Sequence, residues 1–575
     1  MAHGGRIAAI SALLAATAAA FVLPDWIISL ATIAFANALV VLGLIVMWRA
    51  GLVSFGQAMY YCIGAYAVAL IGRWTGVTDA VALVLIGGAC AGLVSFVVGF
   101  LLARYREIFF AMLSLAFSMI LYGVLVKTES LGSTDGFSVI VPTFLGYAPH
   151  REKLLVALYW LVLAVCAIAA VLVDMYFRSL AGALAIPVRD NEIRVEFLGI
   201  SVSRLIHTKL VISGLLGGMG GALAALAVGH VDPNMSYWTT SGEFVFITIL
   251  AGAGSVGPAF VGSLVRVGAL VRVRRASAAL ANAARLGAAA HNSFPATGIG
   301  LIDRAAALAP QCGGAMSAPI LSVRDLGKRF GSMIAARDIT ISVPAQQTVG
   351  VIGSNGAGKT TFINMITGHL RPTTGTVHFE ERDITGLPSR RITAMGISRS
   401  FQVAQIFPSL TVFENTCAAA AIGRAPKNFM GHVLTPLRSR ESIAEAETLL
   451  ELFEIARYRN RLAATLPQGV RKLLDIGMAV AGSPRLLLLD EPTSGVSIEE
   501  KFNLMQVVMS ALRNRKITVL FVEHDMEIVE RFAERVLAFY DGTVIADGTP
   551  AATLADARVQ GLISGPKVKG TVAHV

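Results

Sequence analysis

Long apolar runs almost free of charge fill the first 265 or so residues of this 575-residue chain. Stretches at roughly 8–23, 27–48, 50–72, 80–103, 108–126, 154–173, 210–229 and 244–265 approach the ~20 apolar residues that a helix needs to cross a bilayer. Each predicts a membrane-crossing helix. The first also fits a signal peptide, with Arg6, an apolar stretch and then small alanines. A retained helix is the preferred reading, and the later topology is the same either way.

Lysine and arginine orient the runs. Arg6, Arg49, Arg104 and Arg106 fall on one side, with Arg178, Arg189, Arg194, Arg204, Lys209, Arg266, Arg272, Arg274 and Arg275. The opposite loops are poorer, holding Arg73, Lys127, Arg151 and Lys153. The positive-inside bias therefore puts both ends of this half in the cytoplasm. It also accounts for the net charge of +11, so the basic balance does not point to nucleic acid. At 55% hydrophobic and 15% charged residues the whole chain is too apolar for a soluble protein. Its length requires more than one domain. Cys62, Cys90, Cys166, Cys312 and Cys417 are scattered without metal-ligand spacing and carry no assigned chemistry.

Within residues 1–275, Gly214, Gly217, Gly218 and Gly221 supply small residues for close helix packing. Gly252, Gly254, Gly257 and Pro258 interrupt the last run. Such a break marks either a substrate path or a packing kink. The longest inside segment, Asp174 to Lys209, mixes charge with helical periodicity. It suits an amphipathic helix at the membrane surface or a docking element for a soluble domain. The Ala- and Arg-rich stretch 276–316 reads as a linker or a degraded last membrane segment, lying outside the bilayer.

From residue 317 to 575 the chain reads as a soluble α/β domain. An apolar run, Thr348 to Ile352, leads into GSNGAGKT, and an amphipathic run follows from Thr361 to Thr367. Strand, glycine-rich turn and helix form the context in which GxxxxGK[ST] cradles a polyphosphate. Gly353, Ser354, Asn355, Gly356, Ala357, Gly358, Lys359, Thr360 and Thr361 are the expected nucleotide-binding residues. Lys359 is expected on the β- and γ-phosphates and Thr360 on Mg²⁺. Downstream, RLLLLDEP ends a strand at Asp490-Glu491, and ITVLFVEHD ends another at Glu523-His524-Asp525. Asp490 is expected to hold Mg²⁺ through water, Glu491 to polarise the attacking water and His524 to contact the γ-phosphate. Gln402 is expected to complete the metal and water shell. Phe330 is a candidate to stack on adenine, or a core residue.

GSNGAGKT resembles a Walker A loop, Gln402 a Q-loop glutamine, LLLLDEP a Walker B strand and His524 an H-loop histidine. The soluble half thus resembles an ATP-binding-cassette (ABC) ATPase. GISRSFQVAQIFPSLTVFEN, the insertion around Asn428 to Ser442 and the ending DGTP are similar to the G-type ATPase of branched-chain amino acid (Liv-type) importers. GLVSFGQAMYYCIGAYAVAL, VRDNEIRVEFLGIS and EFVFITILAGAGSVGPAFVGS are similar to the M-type permease of the same family. The resemblance implies an all-α polytopic membrane domain followed by an α/β P-loop NTPase domain, using ATP and Mg²⁺. It further implies a second permease and a second ATPase in a pseudo-dimer, fed by an extracytoplasmic binding protein in the bacterial inner membrane, with lipid around the permease. The Asp174–Lys209 loop is then expected to hold the helix that docks on the cassette, and coupling to run through Arg189, Asp190, Asn191 and Glu192. Two departures stand out. The family signature LSGGQ aligns with Leu466-Pro467-Gln468-Gly469-Val470, and Ser497 replaces the D-loop aspartate. An exporter, or a membrane-anchored ATP-binding module without transport, are the competing readings.

Overall fold

The computed structural model describes residues 2–252, 254–269, 319–426 and 429–564. Two compact units emerge, and each is described by itself. One holds the membrane helices. The other holds the soluble half together with Asp190–Ser201, a segment that lies in sequence between two membrane helices. The proposed linker, 276–316, falls outside the described residues.

In the membrane unit, helices α1 (Ala2–Val22), α2 (Asp25–Trp48), α3 (Gln57–Thr75), α4 (Ala80–Leu102), α5 (Glu107–Lys127) and α6 (Arg151–Arg178) follow the predicted runs. Three short helices come next: α7 (Leu180–Ala183), α8 (Ala185–Asp190) and α9 (Glu192–Phe197). Then come α10 (Val202–Val228), α11 (Trp238–Ala251) and α12 (257–269). Among the described residues, α2, α4, α5, α10 and the Lys153–Arg178 part of α6 are long and apolar enough to cross a bilayer.

Helix α10 is the centre of this unit. A Cβ added at Gly221 would lie 1.8 Å from the carbonyl oxygen of Tyr61 on α3, and one at Gly218 2.4 Å from Cβ of Ala91 on α4. Backbones can approach this closely only because these residues carry no side chain. Buried polar groups fasten the same contacts. Gln57 Nε2 donates to Ser213 Oγ at 3.0 Å, and Ser95 Oγ donates to the Leu210 carbonyl at 2.7 Å.

Three expectations change. The run 50–72 is not helical from its start. Gly51 has φ 77°, the amide of Gly56 bonds to Ser54 Oγ and that of Phe55 to Ser114 Oγ, so α3 begins only at Gln57. The run 244–265 is not one straight helix. Gly252, at φ 78°, ends α11, and α12 folds back along it. Arg266 pairs with Glu243, residues that a straight helix would hold about 35 Å apart. A Cβ on Gly262 would meet Ala251 Cβ at 2.8 Å. The inside connection is shorter than 174–209, because α6 runs to Arg178 and α10 starts at Val202. The stretch between them carries the short helices α7–α9.

A two-stranded ribbon, β1 (Phe137–Ser138) with β2 (His230–Val231), completes the membrane unit. The soluble unit has two sheets. An antiparallel sheet, in order β4-β3-β6-β7, contains β3 (Leu321–Phe330), β4 (Met333–Val343), β6 (Thr374–Phe379) and β7 (Arg382–Asp383). The second, in order β12-β11-β5-β10-β9-β8, contains β5 (Thr348–Gly353), β8 (Ile397–Ser400), β9 (Leu486–Asp490), β10 (Thr518–Val522), β11 (Arg535–Tyr540) and β12 (Thr543–Gly548). Strands β11, β5, β10, β9 and β8 run parallel, and every residue of β5, β9 and β10 is buried. That burial explains why these strands read as continuous apolar runs rather than alternating ones. Asp541 and Gly542, both at positive φ, turn β11 into β12, as the Asp-Gly pair predicts. Helices α13 (Lys359–Ile366), α14 (Ser389–Met395), α15 (Val412–Arg424), α16 (Phe429–Leu434), α17 (Arg440–Leu452), α18 (Gln468–Val480) and α19 (Ile498–Asn514) flank the sheets.

Candidate nucleotide site

The site forms where β5, β9 and β10 end side by side. Their pairing puts Val522 opposite both Asp490 and Val351, so the carboxyl ends of three parallel strands share one edge. Ligands of open α/β sheets bind at such edges.

The loop Gly353–Gly358 leaves β5 and enters α13. Gly353 needs its missing side chain, since a Cβ there would lie 2.4 Å from the Phe539 carbonyl on β11. Gly356 and Gly358 take φ 80° and 101°, and Gly358 opens α13. Ala357, Lys359 and Thr361 are buried, whereas Asn355, Gly356 and Thr360 face solvent. Lys359 Nζ turns back on the loop and donates to the carbonyls of Gly353 at 2.7 Å and Ser354 at 3.0 Å. Burial pushes its amine down to about 8, against the opposing pull of Glu491 and Asp490.

Across the edge, Glu491 follows β9 at φ 46°, a left-handed backbone that a side chain rarely adopts. Its amide bonds to the Val522 carbonyl at 3.1 Å, which ties the turn to β10. Its Oε2 accepts from Gln402 Nε2 at 2.7 Å, and its Oε1 lies 2.9 Å from His524 Nε2. Gln402 and His524, from separate stretches of sequence, therefore converge on the Glu491 carboxylate. Asp490 is nearly closed to solvent and pairs with Arg399 through a 2.7 Å bond to Oδ2. Phe330 stands at the end of β3, 43% exposed, with Lys328 Nζ 5.2 Å over its ring; its strand partner is Met333.

A model described as ABC transporter matches residues 336–494, and one described as the permease component of a branched-chain amino acid transport system matches 26–282. The branched-chain amino acid transport ATP-binding protein LivG of Salmonella typhimurium is 35% identical over 238 residues, which is 41% of this chain and 93% of that protein. The chain belongs to the ABC transporter family. It joins a permease to an ATP-hydrolysing cassette in one polypeptide. The lipopolysaccharide export ATP-binding protein LptB of Haemophilus influenzae is 33% identical over 250 residues, 44% of this chain and 99% of that protein. A solved ABC transporter cassette in its ADP conformation is 30% identical, covers 44% of this chain and 100% of that one, and gives a TM-score of 0.39.

In this ABC transporter the signature stretch lies at the start of α18. Pro467 is the N-cap and offers no side-chain bond to the helix, while Gln468 is exposed. Ser497, in the aspartate's place, caps α19, also without a side-chain bond. Four further residues shape the site and were not singled out from sequence. Arg399 neutralises Asp490 and also bonds Asn364. Lys472, fully buried on α18, donates to the carbonyls of Gln402 and Glu491. Asp475, one turn later, accepts from the amides of Phe401 and Gln405. Glu523 accepts from both the amide and the hydroxyl of Thr493, and burial raises its carboxyl. The only signal for Lys472 and Asp475 was their spacing, which puts two opposite charges on one face of α18.

Proposed function

We propose that the chain is one half of an ATP-driven importer for branched-chain amino acids or related small polar solutes, with permease residues 1–275 and cassette residues 317–575. The observation that carries this reading is the match of the permease half to a branched-chain amino acid permease component, on the same chain as a cassette whose phosphate loop, glutamate and histidine lie at one sheet edge. A second permease, a second ATPase and an extracytoplasmic binding protein complete the assembly. The membrane is the bacterial inner membrane, with the cassette in the cytoplasm.

The roles follow from the site's atoms. Lys359 gives up the loop carbonyls for the β- and γ-phosphates, and the amides of the loop and the α13 N-terminus face the same anion. Glu491 orients the attacking water and receives its proton; His524 and Gln402 hold both carboxylate oxygens in place. His524 further reaches the γ-phosphate. Thr360, Gln402 and Asp490 offer only oxygen ligands, which suits Mg²⁺ better than a soft metal. When bound, Mg²⁺ neutralises charge developing on the phosphates. Phe330, exposed at the end of its strand, serves as the adenine platform.

Import is favoured over export because exporters need long charged inside extensions on several helices, whereas in this sequence one inside segment, Asp174 to Lys209, is long. A non-transporting ATP-binding module is favoured by Pro467 and Ser497 and by the Ala- and Arg-rich stretch 276–316 that stands in place of a last membrane segment. Reconstitution with the second permease, second ATPase and binding protein, followed by uptake of radiolabelled leucine into vesicles, tests the proposal. ATP-dependent uptake is expected. Hydrolysis without uptake, for any small amino acid or amide offered, would reject it.

A further inference from the structure

Asp475 has no exposed surface. Its Oδ2 accepts from the Phe401 amide at 3.1 Å and its Oδ1 from the Gln405 amide at 3.2 Å. The two bonds grip both ends of the turn 401–405. Gln402, inside that turn, is the residue that reaches Glu491. Lys472, one turn earlier on α18, holds the Gln402 carbonyl from the other side. The placement of Gln402 is thus dictated by two charged side chains of one helix.

A buried carboxylate is costly without a counter-charge. Arg194 supplies it. Its side chain is 1% exposed, and Nη1 lies 3.2 Å from Asp475 Oδ1. The same nitrogen donates to the Arg399 carbonyl at 3.2 Å, and Nη2 donates to the Asp475 carbonyl. Arg194 belongs to Asp190–Ser201, the segment that lies between membrane helices in sequence but groups with the cassette. Neighbours fix its approach. Asn191 Oδ1 accepts from the Arg194 amide at 3.0 Å and Asn191 Nδ2 donates to Gln405 Oε1 at 2.8 Å. Asp190 accepts from the amide and hydroxyl of Ser409. Phe197 packs edge-on against Phe401, ring centroids 4.9 Å apart.

We propose that Arg194 is a positioning residue for ATP hydrolysis: by neutralising Asp475 it completes the clamp that sets Gln402 against Glu491. The cassette alone has the carboxylate and, a turn away, Lys472, whose ammonium is spent on the Gln402 and Glu491 carbonyls; it lacks the guanidinium that pairs with Asp475 directly. The turn that carries Gln402 therefore takes its working geometry only with the inserted arginine. This inference rests on the ATPase reading of the site and is independent of the direction of transport.

The test uses the full chain in lipid nanodiscs. Arg194→Ala, Asp475→Asn and the double variant are compared for kcat, KM, affinity for a fluorescent ATP analogue, and thiol labelling of Val403→Cys, mapped by mass spectrometry. Val403 lies in the clamped turn and is 68% exposed. Removing one partner of a buried pair is more harmful than removing both, so Arg194→Ala should lower kcat by roughly tenfold or more, and the double variant should recover the part of that loss due to the unpaired charge, since asparagine keeps one of the two accepting oxygens. Nucleotide affinity should stay within about twofold, because the phosphate loop is untouched. Labelling at residue 403 should change in Arg194→Ala and return towards normal in the double variant. Strictly additive losses, or an unchanged kcat in Arg194→Ala, would overturn the proposal. Should Arg194→Ala fail to fold, Asp475→Asn against the double variant makes the same comparison, and the double must be the more active. The labelling arm reads the turn without hydrolysis, so a chain that lacks ATPase activity altogether is told apart from one that lacks the clamp.

Discussion

His524 Nε2 lies 2.9 Å from Glu491 Oε1, and this bond does more than any other contact to hold the Glu491 carboxyl below the usual carboxylate range. Gln402 and the charge of Lys359 act in the same direction, against desolvation. The carboxylate is thereby ready as a base at neutral pH.

Glu491→Gln keeps the shape and can keep one of the two flanking bonds but cannot take a proton. General-base catalysis is worth about 10²–10⁴-fold, so turnover should fall by that order while ATP binding persists. Trapped, unhydrolysed ATP on the purified variant is the expected readout. Wild-type turnover in the assembled transporter would remove Glu491 from its role.

Lys359 sets a pH limit on nucleotide binding. Its amine is depressed to about 8 in the nucleotide-free loop. Phosphates favour the charged form, so binding ATP raises that value and takes up a proton when the free enzyme is neutral there. Affinity should therefore be flat below about pH 8 and fall above it, by up to tenfold per pH unit. Titration calorimetry in buffers of different ionisation enthalpy should show proton uptake near pH 8.5. Lys359→Ala should bind weakly at every pH and lose this dependence.

The two ATP sites of the assembly should be unequal. In a cassette dimer each nucleotide is held between one chain's phosphate loop and the other's signature. Pro467 brings neither a hydroxyl nor an amide to the site opposite. A hydrogen bond to a charged group is worth about 1.5–3 kcal/mol, enough to weaken closure there. Disabling Glu491 should abolish most turnover, and disabling the partner ATPase's glutamate should cost far less. Pro467→Ser should narrow the difference and also cap α18, adding about 1 kcal/mol to the stability of the cassette.

Close packing around α10 leaves no room for growth. Gly221→Leu would force a side chain where a Cβ already lies 1.8 Å from the Tyr61 carbonyl. Overpacking typically costs 1–3 kcal/mol, and backbone contact puts this case at about the upper end. A lower melting temperature and poor yield in detergent should follow, whereas Gly242→Ala, where nothing approaches within 4 Å, should be silent.

Much of this was visible in the sequence because the signals are local. The phosphate loop announces itself by spacing, Asp490 and Glu491 by the apolar strand that they end, and α2, α4 and α5 by length and hydropathy. What escaped notice depends on distant pairing. Arg194 looked like one of several inside arginines, and only folding brings it against Asp475, 281 positions away. The turn at Gly252 was legible as a break but not as a reversal, since glycines permit both and the Glu243–Arg266 pair decides. Arg399 sits inside a quoted motif, yet nothing local ties it to Asp490.

The grouping of Asp190–Ser201 with the cassette has a consequence for how such assemblies are put together. When permease and ATPase are separate polypeptides, their pairing depends on encounter and affinity. Covalent union makes the seating intramolecular, so it no longer depends on the concentration of either part. The ATPase with the altered signature then always belongs to the same half of the pore. In the proposed two-half assembly, any inequality between the two ATP sites then acquires a fixed address in the membrane.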